Sequence, residues 1–365
     1  MKIAQVNKLY FPAVGGIEQV VRDIAEGVIE YGHESDVLCS VPRGVGRSET
    51  LSDVRVTRAS SLGTSLSVPL APTFPYHLRQ AHNSHDVVHY HLPNPLAVAS
   101  DFFVGNSRAP TVVTYHSDIV RQARSLQFYR PLLHEFLSKA ERIIVTSPPL
   151  LQNSRELQNH KSKCTVIPLS INIDDYPSPT PVNFTLSERP TLLFVGRLNY
   201  YKGVEVLIEA VRPLNVELLI VGDGPRRDSL EELAQSTNTN AHIRFYGYVS
   251  DDELGEYYKN SDIFVFPSIE PSEAFGIVQL EAMAHGLPVI NTALPTGVPW
   301  VSPHGKTGLT VPPGEVEPLR QAISQLTSNV DYQAELGQKA RERVEKHFDK
   351  KQMIESTLNV YRSLY

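Results

Sequence analysis

Short runs of β-branched and other apolar residues alternate with longer amphipathic stretches in both halves of this chain. In the first half we predict helices at residues such as 17–31 and 127–140, and strands at residues 2–7, 34–39, 54–59, 87–90, 111–115, 142–146 and 164–167. Strand–helix–strand alternation is typical of a parallel sheet with helices on both faces. The pattern therefore predicts a doubly wound α/β domain.

A proline-rich segment separates this series from a second one. Pro177, Pro179 and Pro181 prevent any regular element from persisting there. Beyond it we predict strands and helices at residues 191–195, 204–211, 217–221, 227–235, 243–246, 251–260, 263–265, 276–285 and 288–291, a helix from residue 318 and a long helical segment at 332–365. We therefore predict domains at 1–172 and 183–345, a linker at 173–182, and a C-terminal helix at 346–365 that crosses back to the first domain.

Length and composition narrow the class of protein. The 365 residues suffice for two cores, and two cysteines cannot form a disulfide framework, which favours a reducing compartment. No apolar stretch follows Met1, so we expect no signal peptide and a cytoplasmic protein. With a net charge of −6 we expect no nucleic-acid partner.

Two glycines and two cations follow predicted strands. Gly15 and Gly16 precede a helix, where backbone N–H groups and the helix dipole favour an anion, although a glycine pair also makes a simple turn. Arg197 and Lys202 follow the strand at 191–195 and together suit a diphosphate, unless they are merely solvated.

Glu273 and Glu281 belong to the most specific pattern. Glu281 lies within a predicted apolar helix and Glu273 just before it, so a spacing of eight predicts that both face the same side. Burying a carboxylate among apolar residues is costly, which favours a binding role for these two glutamates. The free N–H groups of residues 274–277 suit a phosphate. A structural glutamate pair is the alternative.

His116 ends a predicted strand at the expected ligand edge, although a structural histidine is the alternative there. His89 and His91 raise the question of a metal, but no further ligand follows at a suitable spacing. The chain also contains no Asp-x-Asp pair, which a divalent ion bridging a diphosphate generally needs. We therefore predict no metal site and no cofactor.

Together these motifs resemble glycosyltransferase family 4, whose members are retaining enzymes with the GT-B fold. The resemblance rests on the E-x7-E pattern of Glu273 and Glu281, on the Gly-Arg-Leu…Lys-Gly element at 196–203, and on the Gly-Asp-Gly-Pro element at 222–225. It implies two Rossmann-like domains facing across a cleft, with the acceptor on the N-terminal side and a nucleotide sugar on the C-terminal side.

The resemblance also implies residue roles. Gly15 and Gly16 would approach the donor phosphate, Arg197 and Lys202 would hold the diphosphate, and Glu273 would bind donor-sugar hydroxyls. His116 would bond the transferred sugar, and Glu281 would accept hydrogen bonds from the ribose. The remaining nucleotide-sugar contacts would come from the base-binding turn at Val249 and the backbone of Phe275, Gly276 and Ile277.

The implied reaction is hexose transfer with retention by front-face substitution, since no second carboxylate nucleophile is evident. The loop at 294–300 resembles members that build surface polysaccharides on polyprenyl-diphosphate carriers, often from GDP-mannose, and a UDP-sugar is the other donor considered. Residues 121–130 alternate arginines with apolar residues, which favours peripheral contact with the inner face of the membrane. Residues 169–172, Leu-Ser-Ile-Asn, depart from the family, which usually has Asn-Gly before the linker.

Other functions stay open on the sequence alone. A nucleotide-sugar epimerase or a sugar phosphorylase has the same architecture, and a sensor would bind a nucleotide sugar without transfer. A Gly-x-Gly at 222–224 also occurs in NAD-dependent enzymes, but the third glycine of that fingerprint is missing.

Overall fold

A computed structural model describes residues 1–13, 15–65, 68–105, 109–119, 123–176, 189–235 and 239–365, apart from the side chains of 123–128 and 252. The chain divides into two compact units. The first comprises Met1–Leu169 with Lys350–Tyr365, and the second comprises Ser170–Asp349.

The strands, in chain order, are β1 (Lys2–Val6), β2 (Glu34–Ser40), β3 (Arg47–Leu51), β4 (Val54–Ala59), β5 (Thr64–Ser65), β6 (Val68–Pro69), β7 (Val87–Leu92), β8 (Thr111–Tyr115), β9 (Arg142–Val145), β10 (Cys164–Val166), β11 (Thr191–Val195), β12 (Glu217–Val221), β13 (His242–Gly247), β14 (Ile263–Phe266), β15 (Val289–Thr292) and β16 (Gly308–Val311). Four of them, β4, β8, β11 and β12, have the bounds that the sequence predicts. β5 and β6 form a separate antiparallel pair.

The helices are α1 (Gly16–Glu30), α2 (Phe74–Ser84), α3 (Pro95–Asp101), α4 (Ala123–Lys139), α5 (Pro148–Asn153), α6 (Val204–Val211), α7 (Arg227–Gln235), α8 (Asp251–Lys259), α9 (Ile277–Ala284), α10 (Val298–Val301), α11 (Val316–Thr327), α12 (Val330–His347) and α13 (Lys350–Arg362). The bounds of α6 and α7 agree with prediction, whereas α2, α3, α5 and α10 were not predicted.

The first unit contains an eight-stranded sheet with the order β10-β9-β8-β7-β1-β2-β4-β3. All its neighbouring strands are parallel except β3, which pairs antiparallel with β4 at the edge. The sequence analysis missed β3 because its residues, Arg-Ser-Glu-Thr-Leu, are largely polar and not buried. An edge strand with such a composition carries little apolar signal.

The helix α13 belongs to the first unit and packs on α1. Ile354 lies so close to Gly27 that an added Cβ at Gly27 would be 2.7 Å from the Ile354 Cγ1. An ion pair at 3.0 Å between Lys350 Nζ and Asp23 Oδ1 lies beside this contact. A glycine in the middle of α1 is therefore explained by close helix packing.

The second unit contains a six-stranded sheet with the order β13-β12-β11-β14-β15-β16, and all its strands are parallel. Its strands β11 and β14 are fully buried, and in β12 only the first residue, Glu217, is half-buried, as expected for a sheet covered on both faces. Together with the first sheet, this confirms the predicted α/β class with two doubly wound sheets.

The C-terminal segment at 332–365, which we predicted as one long helical stretch, is two helices. The break falls at Phe348 and Asp349, between α12 and α13. Phe348 is 1% exposed and packs edge-on against Trp300 and Phe275, and its carbonyl accepts a hydrogen bond from Ile171 N at 3.1 Å. These tertiary contacts end α12 in a sequence that lacks glycine and proline there.

The strand order reverses direction once within each sheet. In the first unit the reversal lies between β1 and β7, and in the second it lies between β11 and β14. Ligands of open α/β sheets bind beyond the carboxyl ends of the strands at such a switch point. The loops that follow these four strands are therefore where a site is expected.

Candidate active site

In the second unit, the loops after β11 and β14 contain most of the predicted donor-binding residues. Arg197 lies two residues after the end of β11. Lys202 is the last residue of the short 3₁₀ helix Tyr200–Lys202, which precedes α6. Ser268 and Glu273 lie in the loop after β14. The topology therefore brings predicted residues far apart in sequence to one switch point.

Lys202 and Glu273 bind each other. Lys202 Nζ lies 2.5 Å from Glu273 Oε2, and the two residues are only 8% and 9% exposed. Ser268 Oγ donates a hydrogen bond to the same carboxylate at 3.3 Å, and Lys202 Nζ lies 4.9 Å from the centre of the Phe266 ring. The carboxylate thus has a cation and a hydroxyl as its partners. The sequence analysis missed Ser268, for which it had no signal.

Arg197 differs from Lys202 in its surroundings. Arg197 is exposed, and its guanidinium forms no hydrogen bond or ion pair with any residue that the structure describes. The backbone carbonyl of Arg197 accepts from Asn199 N at 2.7 Å, so the turn is held while the side chain stays available. An unpaired guanidinium beside a switch point suits a phosphate group.

Three glycines bring the ends of β11, β12 and β13 unusually close together. A Cβ at Gly222 would lie 2.1 Å from the Gly196 carbonyl oxygen, and Gly222 N donates to the Gly247 carbonyl at 2.7 Å. All three have positive φ angles, of 153°, 128° and 70° along the chain. Side chains are therefore excluded here, which leaves backbone at the strand ends.

The helix α9 begins one residue later than predicted, at Ile277. Gly276 precedes it with φ of 78°, and a Cβ there would lie 2.6 Å from the Phe266 ring. The N–H groups of Phe275, Gly276 and Ile277 donate to no group within the described parts of the chain. They are free to receive an anion, as a helix N-terminus allows.

Our prediction that Glu273 and Glu281 share one helical face is wrong. Glu273 lies in the loop, four residues before α9 begins, so helical periodicity does not relate the two carboxylates. Glu281 lies within α9 and instead accepts a hydrogen bond at 2.8 Å from the hydroxyl of Tyr258, which is 1% exposed. The glutamates therefore have separate partners.

Burial raises the pKa of Glu281, and the Tyr258 hydroxyl opposes that shift by bonding to the carboxylate. The Tyr258 ring stacks on His285 with 4.9 Å between centroids, and the His285 Nδ1 lies 2.8 Å from the Glu281 carbonyl. The helix α8 thus holds the carboxylate through the hydroxyl of Tyr258, a contact that the sequence did not indicate.

Val249 follows β13 and the left-handed Gly247, and it is half-buried. Tyr248 beside it is 72% exposed. Ser250 and Glu253 form a capping box that begins α8 directly afterwards. The turn is therefore held by α8, and its exposed aromatic side chain was not singled out by the sequence.

In the first unit, the glycine pair lies where β1 leads into α1. Gly15 is the N-cap residue and Gly16 begins the helix, with no side chain capping its N-terminus. An added Cβ at Gly15 would lie 2.2 Å from Glu18 Oε2, so the helix's own carboxylate reaches back over its first turn. An incoming phosphate would share this N-terminus with Glu18.

His116 follows β8 and is 5% exposed. Its Nε2 lies 3.1 Å from Nδ1 of His91, which is fully buried on β7. Its own Nδ1 is buried and has no hydrogen-bond partner among the residues that the structure describes. Burial lowers the pKa of His116 to about 3 and the pKa of His91 well below its usual value, so both rings are neutral. The ring of His89, also fully buried, lies 4.5 Å from that of His91 between centroids, so both belong to a buried array.

The described residues were predicted to hold no metal ion, and one segment was predicted to contact a membrane. No group of three or more His, Cys, Asp or Glu residues within the described ranges is arranged to hold a metal ion. No helix among them has the length and apolar character needed to cross a membrane. In the segment predicted to contact a membrane, residues 121 and 122 and the side chains of 123–128 lie outside what the structure describes.

Comparison with known families gives a match in each half of the chain. Residues 14–175 match the model described as glycosyltransferase family 4, and residues 181–343 match that of glycosyl transferases group 1. The predicted site residues of the first unit lie inside the first match, and those of the second unit lie inside the second.

Two curated relatives are similar over the full chain. The D-rhamnosyltransferase WbpZ of Pseudomonas aeruginosa is 34% identical over 95% of this chain and 92% of its own length. The O-antigen chain mannosyltransferase C of Escherichia coli is 30% identical over 100% and 99%. Among solved structures, Anabaena HepE in complex with UDP superimposes with a TM-score of 0.80 at 20% identity over 100% of both chains, which indicates a shared fold.

Proposed function

Because the chain belongs to the group 1 glycosyl transferases of family 4, with a GT-B fold, we propose that it transfers a hexose from a nucleotide diphosphate sugar to a glycan or lipid-linked acceptor. The buried pair of Lys202 and Glu273 at a switch point is the observation that carries this proposal. Arg197, in the same loop as Lys202, has no partner among the described residues. A cation paired to a carboxylate there can receive a phosphate oxygen while the carboxylate receives sugar hydroxyls.

The donor is held at its diphosphate by positive groups. Arg197 supplies an unpaired guanidinium, and the free N–H groups of Phe275, Gly276 and Ile277 point to the same chemistry. Glu281, fixed by Tyr258, accepts hydrogen bonds from the ribose. The complex of HepE with UDP supports a nucleotide donor of this kind.

The transferred sugar is mannose or its 6-deoxy analogue D-rhamnose, in keeping with the names of the two relatives. The name of the Escherichia coli relative supports an acceptor within O-antigen or related glycoconjugate synthesis. We propose a growing chain on a polyprenyl diphosphate, as the resemblance of the loop at 294–300 implies. GDP-mannose is the donor that we test first, and a UDP-sugar is the alternative. The enzyme would then work on the inner face of the cell membrane.

The reaction proceeds with retention at the anomeric carbon. The bond from that carbon to the phosphate oxygen breaks, the acceptor oxygen bonds to the same face, and the acceptor proton moves to the departing phosphate oxygen. Glu273 is held by Lys202 and Ser268, so it stabilises positive charge at the sugar rather than attacking it. Arg197 and Lys202 take up the charge of the diphosphate without a divalent metal.

Thermal-shift binding of UDP, GDP and ADP, with and without EDTA, tests the donor. Stabilisation by one nucleotide that EDTA leaves unchanged supports a metal-free donor site and identifies the base. Loss of the shift in EDTA would reject metal independence. No shift with any nucleotide would reject the donor site.

Product analysis tests transfer itself. Incubation of the purified chain with GDP-mannose and a synthetic lipid-linked glycan should give nucleotide diphosphate in proportion to glycosylated product, with an anomeric configuration that proton NMR shows to be retained. An isomerised donor without acceptor would indicate an epimerase, and a requirement for inorganic phosphate would indicate a phosphorylase. Binding without any product would indicate a sensor.

A further inference from the structure

A chain of buried hydrogen bonds connects the C-terminal helix to His116 in the first unit. Tyr361 on α13 meets Gln5 on β1, Gln5 meets His91 on β7, and His91 meets His116 after β8. Tyr361, Gln5 and His91 are 0% exposed, and His116 is 5% exposed. Water therefore has little access, and each proton must be accounted for within the array.

The direction of these bonds starts at Gln5. Its Nε2 donates to the Tyr361 hydroxyl oxygen at 3.2 Å, so its Oε1 is the atom that faces His91 Nε2 at 3.0 Å. An amide oxygen only accepts hydrogen bonds. His91 must therefore carry its proton on Nε2. The Tyr361 hydroxyl, having accepted from Gln5, donates its own proton to His89 Nδ1 at 2.7 Å.

The same accounting fixes the protons of His116. A neutral imidazole carries one proton, so His91 with its proton on Nε2 has an accepting Nδ1. His116 Nε2 lies 3.1 Å from that nitrogen and must donate to it. His116, which is also neutral, is left with a lone pair on Nδ1, the atom that is buried and has no partner.

We propose that Gln5 and Tyr361 are positioning residues that, through His91, hold His116 in its Nε2–H tautomer and so present Nδ1 as a hydrogen-bond acceptor to a hydroxyl of the transferred sugar. The role of the sugar hydroxyl rests on the proposed function, whereas the tautomer does not. The unpartnered Nδ1 of His116 supports this role. A buried acceptor that has no donor among the described residues is costly unless a ligand supplies one.

The orientation of the Gln5 amide is what decides the outcome. With the amide reversed, its nitrogen would donate to His91, and each later bond would reverse, so that His116 Nδ1 would carry a proton. A protonated Nδ1 would donate to the ligand and would repel a developing positive charge more than a lone pair does. The structure has the first orientation, in which Gln5 Nε2 donates to the Tyr361 hydroxyl and the proton of that hydroxyl is left for His89 Nδ1.

The tautomer is measured by long-range proton–nitrogen NMR of the full-length chain labelled with ¹⁵N-histidine, without ligand. Loss of one ring system in His116→Asn identifies the signals of His116. We expect a pyrrole-type Nε2 and a pyridine-type Nδ1 in the wild type. A pyrrole-type Nδ1 in the wild type would overturn the proposal.

Variants test the two positioning residues. Tyr361→Phe and Gln5→Leu remove the groups that orient the array, so the two nitrogens of His116 should shift toward a mixture of tautomers. Tyr90→Phe is the matched control, since Tyr90 is a fully buried tyrosine of the same unit whose hydroxyl bonds to His82 and Asp101 outside the array. Unchanged His116 signals in Tyr361→Phe would overturn the role of Tyr361, even if Gln5→Leu fails to fold.

Transfer kinetics test the sugar contact. Tyr361→Phe and Gln5→Leu should lower kcat about tenfold with a smaller change in KM, as expected for loss of a hydrogen bond made near the reacting sugar. Gln5→Glu keeps an acceptor for His91 and should retain more activity than Gln5→Leu. A changed tautomer with unchanged kcat would reject the contact. Absence of transfer by the wild type would instead reject the proposed function, while NMR still decides the tautomer.

Discussion

Lys202 Nζ and Glu273 Oε2 form a buried ion pair at 2.5 Å, although the resemblance to family 4 assigns them to different parts of the donor. Without a ligand, each satisfies the other, so neither charge is left unpaired in a site that is about nine-tenths buried. A bound diphosphate would then share Lys202 with the carboxylate. The ion pair thus keeps the buried ammonium group of Lys202 in the loop after β11.

Removing one partner of this pair should cost more than removing both. Lys202→Met leaves a buried carboxylate with only Ser268, and we expect a loss of about 3 kcal/mol in the free energy of unfolding. Glu273→Gln keeps an acceptor of the same shape and should cost less. Urea denaturation of both single variants and the double variant measures the coupling, which we expect to be about 1–3 kcal/mol. Additive losses would mean that the ion pair does not form in solution.

Arg197 should matter for binding and not for stability. Because its guanidinium is exposed and has no partner among the described residues, Arg197→Ala should leave Tm unchanged. Nucleotide diphosphate affinity, measured by calorimetry, should fall about tenfold or more, since charged hydrogen bonds are worth about 1.5–3 kcal/mol. Lys259→Ala, at the exposed end of α8, is the control and should change neither quantity. Equal affinity of Arg197→Ala and wild type would exclude a diphosphate contact.

Gly203 should tolerate no side chain. Its φ is 65°, and a Cβ would lie 2.2 Å from the Pro267 carbonyl oxygen, so Gly203→Ala must shift the backbone that positions Lys202. We expect a loss of about 2 kcal/mol or more in the free energy of unfolding. Gly255→Ala is the matched control within α8, where nothing lies within 4 Å of an added Cβ. It should gain about 0.5–1 kcal/mol in helix propensity. Similar stabilities of the two variants would contradict the close approach.

Stability should depend on pH through Glu281. Its pKa is raised in the folded state by burial, so the folded protein binds the proton more tightly than the unfolded chain does. The free energy of unfolding should therefore fall as pH rises from the usual value of 4.5 to the raised pKa, and then level off. Urea denaturation between pH 4 and 8 should show this fall in the wild type and not in Glu281→Gln.

Tyr258→Phe provides the matching change for that experiment. It removes the hydroxyl that lowers the pKa of Glu281, so the fall in unfolding free energy should extend to higher pH. Nucleotide affinity should rise with pH over the same range, because the ionised carboxylate is the better acceptor for ribose hydroxyls. Identical pH profiles of the wild type and Glu281→Gln would show that Glu281 keeps its usual pKa.

The sequence predicted the regular parts of the fold well. The bounds of β11 and β12 agree with prediction because buried parallel strands are continuous apolar runs between turn residues. The edge strand β3 was missed because it is polar, and the break at Phe348 was missed because tertiary packing causes it. The local sequence pattern indicates which residues are buried, but it does not indicate which distant side chain ends a helix.

The candidate site divides in the same way. The sequence by itself was enough to predict a set of candidate groups, because motif spacing and strand ends are local properties. These groups are Arg197, Lys202, Glu273, Glu281 and His116. Only the tertiary structure decided their partners. Of the two cations in the loop after β11, Lys202 is paired and Arg197 has no partner among the described residues. His116 acquires its accepting nitrogen from Gln5, more than one hundred residues away. Burial, hydrogen-bond direction and pKa depend on contacts between distant segments, and those contacts form only when the chain folds.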